Sequence, residues 1–361
     1  MMLDRITLSH FRNHAETTLN DTARFNLLVG ENGSGKTNVL EALSLLAPGR
    51  GLRRASLTDM ARADRLGGFS IGASLAPGDG GAPVRLATFV QDTQLGRRRV
   101  RINSADSSAV QLGEWLSIGW LTPAMDRLFA DGESGRRRFV DRLALAFDPS
   151  HAGYATRYDN ALRERNRLLV ADHMPEPAWF DAIEREVATH GTALSASRAH
   201  TVAALSKSLA ALPDAPFARP ALHYRAGGPQ DSDTLASALQ EGRRRDRAAG
   251  RTLTGPHRDE LAVTLAAKDM PAAQCSTGEQ KAMLIAIVLA HAARAADDRP
   301  NLLLLDEVAA HLDPLRRAAL FDRLRNIGAQ VWLTGTERAP FTEIESEAAV
   351  WRVAGGALTR L

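Results

Sequence analysis

Cysteine and long apolar runs are largely missing from this sequence. Cys275 is the only cysteine in 361 residues, which excludes an intramolecular disulfide and a zinc site built from cysteines. No apolar run approaches the roughly 20 residues that a membrane-spanning helix needs. The first residues, MMLDRITLSHFRNH, are too polar for a secretory signal peptide. These absences lead us to expect a cytoplasmic protein.

Lysine is also scarce: of the 45 lysines and arginines, only four are lysines, at Lys36, Lys207, Lys268 and Lys281. Arginine has replaced lysine almost everywhere, so runs of arginine are weak evidence for a phosphate-binding surface, and most charge runs are simply solvated. The net charge of +3 does not by itself indicate a nucleic acid partner. The candidate DNA contacts are two arginine clusters: Arg136, Arg137 and Arg138, and Arg243, Arg244 and Arg245.

What the sequence does contain is a glycine-rich loop, GENGSGKT, at residues 30–37. A predicted buried strand, Phe25–Val29, precedes it, and helical spacing of apolar residues follows from Thr37 to Leu46. Such a loop turns backbone N–H groups toward a phosphate, and the next helix directs its positive end at the same anion. We expect Lys36 to reach the β- and γ-phosphates of ATP and Thr37 to bind Mg²⁺. The predicted nucleotide-binding residues are Gly30, Glu31, Asn32, Gly33, Ser34, Gly35, Lys36, Thr37 and Asn38.

A second motif is the run of four leucines at 302–305, which ends in Asp306 and Glu307. Ligands of open α/β sheets collect at the carboxyl ends of the strands, where these two carboxylates would lie. We expect Asp306 to hold Mg²⁺ and Glu307 to orient or deprotonate the attacking water. The predicted catalytic residues are therefore Glu307 and Lys36. Taken alone, the same pattern would also describe a core strand that ends at the surface.

The third motif lies between the other two, at Ser276, Thr277, Gly278, Glu279 and Gln280. It resembles the signature motif of ATP-binding cassette ATPases, which contacts the γ-phosphate from a second subunit. By itself it is equally an N-cap for the helix predicted at Ser276–Ala293. His311–Leu312–Asp313 resembles the D-loop of the same proteins, with Asp313 at the dimer interface.

The rest of the chain is predicted more coarsely. Short alternating runs between about residues 50 and 120 indicate antiparallel strands, including Val84–Val90 and Arg99–Ile102. Helical spacing from about 124 to 212 indicates two long antiparallel helices around a turn at 174–177. The polar stretch from Arg225 to Arg251 is interpreted as loop and linker. Further predicted elements are a helix at Leu315–Asn326 and a strand at Val331–Leu333.

These motifs together resemble the RecF family, bacterial recombination-mediator ATPases related to the SMC proteins. The resemblance covers most of the chain, and it is carried by LSHFRN at 8–13, NVLEA at 38–42, GRRRFVD at 135–141 and TGPHRDEL at 254–261. The last two are the most specific, because cassette ATPases in general lack them. For TGPHRDEL, a structural or DNA-facing turn and a hydrolytic pair of His257 and Asp259 are both open interpretations.

The resemblance implies an α/β fold, an ABC-type ATPase head with a mixed sheet and an inserted helical lobe that carries a short helical hairpin. One lobe would comprise residues 1–122 and 301–361, and the helical lobe residues 123–300. It further implies that ATP and Mg²⁺ drive formation of a homodimer on gapped or single-stranded DNA and at junctions. The implied role is to help load RecA and to support the SOS response, with RecR and RecO as partners.

Two departures from standard cassette ATPases are evident. The switch histidine expected after the last strand is replaced around Thr334–Gly335–Thr336, and Leu121–Thr122–Pro123 stands where a Q-loop glutamine is expected. We therefore expect slow hydrolysis that releases a clamp closed by ATP. The alternatives are the nucleotide-binding subunit of an ABC transporter and a small-molecule kinase that uses only the phosphate loop.

Overall fold

The computed structural model describes residues 1–64, 67–77, 81–173, 176–295 and 299–361. These residues form two compact units, one of residues 1–126, 215–217 and 284–361 and one of residues 127–214 and 218–283. Met174 and Pro175, in the predicted turn at 174–177, lie outside the described residues. The predicted ATPase lobe (1–122 with 301–361) and helical lobe (123–300) stay a prediction, because they describe which parts of the chain act together.

The first unit contains a mixed sheet whose strands are apolar almost throughout. The strands are β3 (Phe25–Val29), β8 (Ser117–Leu121), β12 (Asn301–Leu305), β13 (Gln330–Gly335), β14 (Ala348–Ala354) and β15 (Ala357–Arg360). Their order in the sheet is β15-β14-β3-β13-β12-β8, with all neighbours parallel except β15, which is antiparallel to β14. Every residue of β3, β12 and β13 is buried, as expected for parallel strands covered on both faces.

A second sheet of the first unit is antiparallel. Its strands are β1 (Met2–Phe11), β2 (His14–Leu19), β4 (Phe69–Ala76), β5 (Val84–Val90), β6 (Arg98–Ile102) and β7 (Ala105–Ser107), in the order β2-β1-β4-β5-β6-β7. Buried and accessible residues alternate along β4 and β5, so one face of this sheet packs on the core. The predicted antiparallel region between residues 50 and 120 is thereby confirmed.

Helix α1 (Lys36–Ser44) shares one apolar core with both sheets. Its buried Val39, Leu40 and Leu43 belong to the same cluster as Leu8 of β1 and Trp332 of β13. The other helices of this unit are α2 (Leu57–Met60), α3 (Leu112–Trp115) and α9 (Pro314–Asn326), and α8 (Thr277–Ala295) begins in the second unit and ends in the first. The strand–loop–helix order predicted around residues 30–37 is confirmed.

The second unit is mainly helical. Its helices are α4 (Glu133–Phe147), α5 (His151–Leu169), α6 (Pro177–Ala210) and α7 (Ser232–Ala248), and its small antiparallel sheet contains β9 (Pro220–Arg225), β10 (Glu260–Leu265) and β11 (Met270–Pro271). Helices α5 and α6 are antiparallel, because Arg165 bonds to Glu184 whereas the earlier His151 bonds to the later Ser197. The two predicted helices are therefore present, and α4 is a third.

The prediction of a loop and linker from Arg225 to Arg251 is wrong, because most of this segment forms helix α7. Only a narrow stripe of this helix is apolar, with Leu235 and Leu239 buried one turn apart. Asp231 caps its N-terminus by accepting from the Thr234 N–H at 2.9 Å. Tertiary packing and a cap thus stabilise a segment whose high polarity resembles that of a loop.

Candidate nucleotide site

The glycine-rich loop links β3 to α1 in the shape that a phosphate cradle requires. Gly33 and Gly35 have φ values of 80° and 116°, in the left-handed region that favours glycine. A Cβ at Gly35 would approach Oδ1 of Asn13 to 2.7 Å, so space as well as backbone conformation requires glycine here. The first turn of α1 contains no acidic residue, and the buried Ser34 Oγ has no hydrogen-bond partner among the described residues. These features fit a bound anion at the positive end of the helix.

The loop is held from outside by the turn between β1 and β2. Asn13 donates from Nδ2 to the Ser34 carbonyl at 2.9 Å and accepts from Asn38 Nδ2 at 2.7 Å. His14 Nε2 lies 3.2 Å from the Gly35 carbonyl oxygen, and burial lowers the pKa of this histidine. The sequence marked residues 8–13 as characteristic but offered no reason for them, and the structure supplies one for the last of them: Asn13, with the adjacent His14, braces the phosphate loop.

Lys36 is buried within the loop, with 4% of its surface exposed. Its ammonium group donates to the carbonyl oxygens of Gly30 at 2.7 Å and Glu31 at 2.9 Å. Burial lowers the pKa of Lys36, whereas the nearby charges of Glu307 and Asp306 oppose that change and favour the protonated form. The predicted cation and the two predicted carboxylates therefore belong to one electrostatic site.

Asp306 follows β12 and lies beside the start of α1. The Thr37 hydroxyl donates to its carboxylate, with distances of 2.9 Å to Oδ1 and 3.2 Å to Oδ2. Thr334, near the end of the neighbouring strand β13, donates to Oδ1 at 2.8 Å. The Asp306 main-chain N–H donates to the carbonyl oxygen of Leu121, at the end of β8. The carboxyl ends of β8, β12 and β13 thus meet at Asp306. The sequence predicted Asp306 and Thr37 as members of one site, and the structure brings them together.

Glu307 comes next and adopts an unusual backbone conformation, with φ at 55°. Its N–H donates to Thr334 Oγ1 at 2.9 Å. Left-handed conformations in residues other than glycine concentrate at functional sites, where the surrounding structure maintains them. The sequence places Thr334 in the segment where a switch histidine is expected but gives it no role, because a threonine in a strand is ordinary β-forming composition.

The predicted signature residues lie in the second unit, at the start of α8. Ser276 and Glu279 form a capping box: the Glu279 carboxylate accepts from the Ser276 N–H and hydroxyl, both at 2.9 Å, and Ser276 Oγ accepts from the Glu279 N–H at 3.3 Å. Lys268 donates to the same carboxylate at 2.6 Å, and these hydrogen bonds, led by that of Lys268, lower the pKa of Glu279 to about 2. Gln280 donates to the Cys275 carbonyl at 2.9 Å. These residues therefore do form an N-cap, as one of the two interpretations predicted. Their contact with a γ-phosphate bound by a second subunit stays a prediction.

Asp313, the predicted D-loop residue, is the N-cap of α9. Its side chain accepts from the Arg316 N–H at 2.9 Å, and half of that side chain remains exposed. The helix start is further defined by Pro314 at its first position.

The arginine clusters divide into paired and exposed side chains. Arg136 binds Glu260 through two contacts of 2.6 and 3.2 Å, and Arg243 donates to Glu184 and Asp181 while stacking on Phe180. Both guanidinium groups are occupied within the second unit. Arg137 donates to the Asp259 carbonyl at 2.8 Å. Arg138, Arg244 and Arg245 are exposed, and Arg245 also donates to the Thr254 hydroxyl at 3.3 Å.

The two most specific stretches, 135–141 and 254–261, meet in the second unit. Arg198 bridges them, donating to Asp141 Oδ1 at 2.7 Å and to Asp259 Oδ2 at 2.8 Å. Asp259 is buried and also accepts from the Gly227 N–H, the Ser195 hydroxyl and the Tyr224 hydroxyl.

His257 has separate partners, the Tyr158 hydroxyl at 2.7 Å and the Thr252 carbonyl at 2.9 Å. No hydrogen bond joins it to Asp259 among those of the described residues. The structural interpretation of TGPHRDEL is therefore favoured over a hydrolytic pair.

Comparison with known proteins agrees with this fold. Residues 2–358 match the model of the RecF/RecN/SMC N-terminal domain. Among solved structures, the recombination mediator protein RecF with ATP in the RecFOR pathway is similar, with a TM-score of 0.86, 20% identity, and coverage of 100% of this chain and 97% of that chain. An Smc head bound to the C-winged helix domain of ScpA follows at a TM-score of 0.56 and 14% identity, covering 100% of this chain and 97% of that chain. At these identities the likeness establishes the fold, an α/β head of the RecF/RecN/SMC class.

Similarity in sequence is closer. The DNA replication and repair protein RecF of Brucella suis biovar 1 (strain 1330) is 46% identical over 98% of this chain and 95% of its own length. That of Rhizobium meliloti (strain 1021) is 45% identical over 99% and 98%. The chain belongs to the RecF family, as the sequence motifs predicted, and this membership argues against a transporter subunit.

No helix in the described ranges is long and apolar enough to cross a membrane.

Proposed function

We propose that this chain is an ATP-dependent DNA-binding protein of recombinational repair and replication-fork maintenance. The observation that carries the proposal is the contact of Thr37 with Asp306, because it assembles the phosphate loop and the acidic strand end into one nucleotide site. The names of the relatives, DNA replication and repair proteins, supply the process in which such a site would act.

In this proposal the backbone of residues 30–35 cradles the phosphates and Lys36 leaves the Gly30 and Glu31 carbonyls to contact the β- and γ-phosphates. The residues assigned to the nucleotide are 30–38, with Asn38 held in place by Asn13. The bracing turn would keep the loop in its binding shape, which limits the ordering cost of binding.

Mg²⁺ would be held by Thr37 and Asp306. Their oxygens lie within 2.9 Å of each other, and a hydroxyl and a carboxylate are hard donors of the kind that Mg²⁺ uses alongside substrate phosphates. When bound, the ion would neutralise charge on the phosphates. The protein's own contribution is to keep the carboxylate fixed through Thr37 and Thr334.

Hydrolysis is proposed to be slow. Glu307 would orient or deprotonate the water, but no histidine follows β13, and Leu121 offers only a carbonyl to the site. ATP binding would then close the protein on DNA, and hydrolysis would serve as the timer for release.

The second wall of the site is proposed to come from another copy of the chain. Residues 276–280 at the start of α8 would face the γ-phosphate of the partner, and Asp313 would cross the same interface. The lobes that close would be residues 1–122 with 301–361, and residues 123–300. The capping box supports this role, because it fixes the geometry of the helix start that would meet the phosphate.

DNA would be held by the closed dimer, preferably gapped or single-stranded DNA and junctions. Arg138, Arg244 and Arg245 are the members of the two clusters with exposed side chains, and Arg136, Arg137 and Arg243 would support them. RecR and RecO are proposed as partners and RecA loading and SOS support as the outcome, in the cytoplasm. The pathway named for the similar solved structure supports these partners.

The proposal is tested by retention of gapped DNA with ATP, with ADP and without nucleotide. We expect retention with ATP only, and affinity that falls steeply with salt because phosphate contacts release counterions. Arg138→Ala and Arg244→Ala should weaken retention, whereas Arg127→Ala, at a side chain 80% exposed outside both clusters, is the matched control. Equal retention in all three nucleotide conditions would contradict the proposal.

A further inference from the structure

Thr334 connects the two carboxylates of the candidate site. It lies in β13, and its residue surface is 1% exposed. Its hydroxyl donates to Asp306 Oδ1 at 2.8 Å and accepts from the Glu307 N–H at 2.9 Å. One side chain thus contacts both the carboxylate beside Thr37 and the backbone of the next residue.

The hydroxyl is what this position requires. The neighbours of Thr334 in the strand, Val331, Trp332 and Leu333, are apolar and buried, and a polar group in such surroundings is unfavourable unless it is hydrogen-bonded. A threonine hydroxyl offers one donor and two acceptor lone pairs, and here it is used in both senses. Its β-branched side chain is also stiff at χ1, so the oxygen is held in one direction.

The contact with Glu307 bears on the direction of that side chain. Glu307 has a left-handed φ of 55°, which is uncommon outside glycine and needs support from its surroundings. The hydrogen bond from its N–H to Thr334 is such support. Since the Cα–Cβ direction follows from the backbone, Thr334 helps to determine where the Glu307 carboxylate points.

We propose that Thr334 is a positioning residue for hydrolysis, which sets Asp306 and Glu307 relative to each other and couples them to β13. It would take the place of a switch histidine, for which the sequence provides no candidate at the end of this strand. The inference rests on the proposed function, since it assigns Thr334 a part in the same reaction. Thr336, two residues further on, is exposed and lines a cavity with residues 29–34, whereas the buried Thr334 is the threonine bonded to Asp306 and Glu307.

The test compares Thr334→Val, Thr334→Ala and Thr334→Ser with Thr18→Val, at an exposed threonine of strand β2, as the matched control. In Thr334→Val and Thr334→Ala we expect ATP turnover to fall by about 10- to 100-fold, as for a misplaced catalytic group. Nucleotide affinity should stay within about threefold, and Thr334→Ser should restore turnover to within about threefold of the unsubstituted protein. Thermal unfolding identifies any variant that is not folded, and Ala is the smaller replacement should Val not fit.

Hydrogen exchange supplies a readout that does not depend on ATP. The Glu307 amide should exchange at least about tenfold faster in Thr334→Val than in the unsubstituted or Ser protein, with Leu304 and Leu305 unchanged. If the unsubstituted protein binds no ATP, the proposed function fails while the exchange result still decides whether Thr334 holds Glu307. Unchanged turnover, or an unchanged Glu307 amide, in Thr334→Val would overturn the inference even where ATP binding is intact.

Discussion

Thr37 and Asp306 are 269 positions apart in the chain, yet the threonine hydroxyl lies 2.9 Å from the carboxylate. The contact arises because the glycine-rich loop joins the end of β3 to the start of α1, and Asp306 follows β12, a strand of the same sheet as β3. Carboxyl ends of parallel strands share one edge, and that edge collects the side chains of the site.

Replacing Lys36 with Ala should abolish measurable ATP binding. The ammonium is the cation next to the phosphate loop, and charge-assisted hydrogen bonds are worth about 1.5–3 kcal/mol each, so we expect at least about 100-fold weaker binding. Equilibrium binding of a fluorescent ATP analogue measures this. Lys207→Ala, at an exposed lysine of α6, is the control, and wild-type affinity in Lys36→Ala would contradict the assignment.

Glu307→Gln should separate binding from hydrolysis. The amide keeps the shape of the side chain but cannot accept a proton, and general bases contribute about 10²- to 10⁴-fold. We expect nucleotide affinity close to that of the unsubstituted protein and turnover reduced by at least about 100-fold. Steady-state phosphate release beside a binding titration measures both, and a variant that turns over at the original rate would show that Glu307 is not the base.

Asp259→Asn should reduce stability without acting on the chemistry. Asp259 is buried against Arg198, and removing one partner of a buried ion pair lowers the free energy of unfolding by about 3–5 kcal/mol. We expect a smaller loss here, because the amide has the same shape and keeps some of the hydrogen bonds. Urea unfolding measures the loss, with the exposed Asp269→Asn as control. If Asp259→Asn is fully stable but inactive in ATP hydrolysis, the hydrolytic interpretation of residues 254–261 gains support over the structural one.

Stability should fall as the pH drops below about 6.5, and His257 should contribute to that fall. Burial, the largest cause, lowers the pKa of His257 from its ordinary 6.5, so the unfolded chain takes up the proton first. The unfolded state then binds more protons than the folded state, and the free energy of unfolding decreases with falling pH. His257→Gln should show a shallower decrease between pH 7 and pH 5 in urea titrations. The exposed His200→Gln is the control, and identical slopes in all three proteins would contradict the argument.

Much of the head was predictable from sequence because its strands are buried on both faces. The strands β3 and β12 are continuous apolar runs, and the first ends in a glycine loop while the second ends in two carboxylates. The apolar run predicts the strand, and the glycines or carboxylates that follow it predict which end of the strand faces the ligand. Helix α7 was missed for the opposite reason, since two leucines one turn apart and a capping Asp231 give little apolar signal.

Contacts between distant segments could not be read from the sequence. The stretch LSHFRN does not indicate that Asn13 donates to the Ser34 carbonyl. The stretches that contain Asp141 and Asp259 likewise do not indicate that Arg198 bonds to both carboxylates. The role of Thr334 could not be read from its place after the last strand, because that role depends on the left-handed conformation of Glu307, which a glutamate does not indicate. Which arginines of the clusters 136–138 and 243–245 are held in ion pairs and which are exposed could also be seen only in the folded structure.

In the proposed function, ATP closes two copies of this chain around a shared site. Sedimentation of the Glu307→Gln protein with ATP, with ADP and without nucleotide tests it most directly, since slow hydrolysis preserves the ATP state. We predict a dimer with ATP only, lost in Ser276→Arg and kept in Ser276→Thr, which retains a capping hydroxyl. A monomer in all three conditions, or a dimer that ignores nucleotide and persists in Ser276→Arg, would contradict the account.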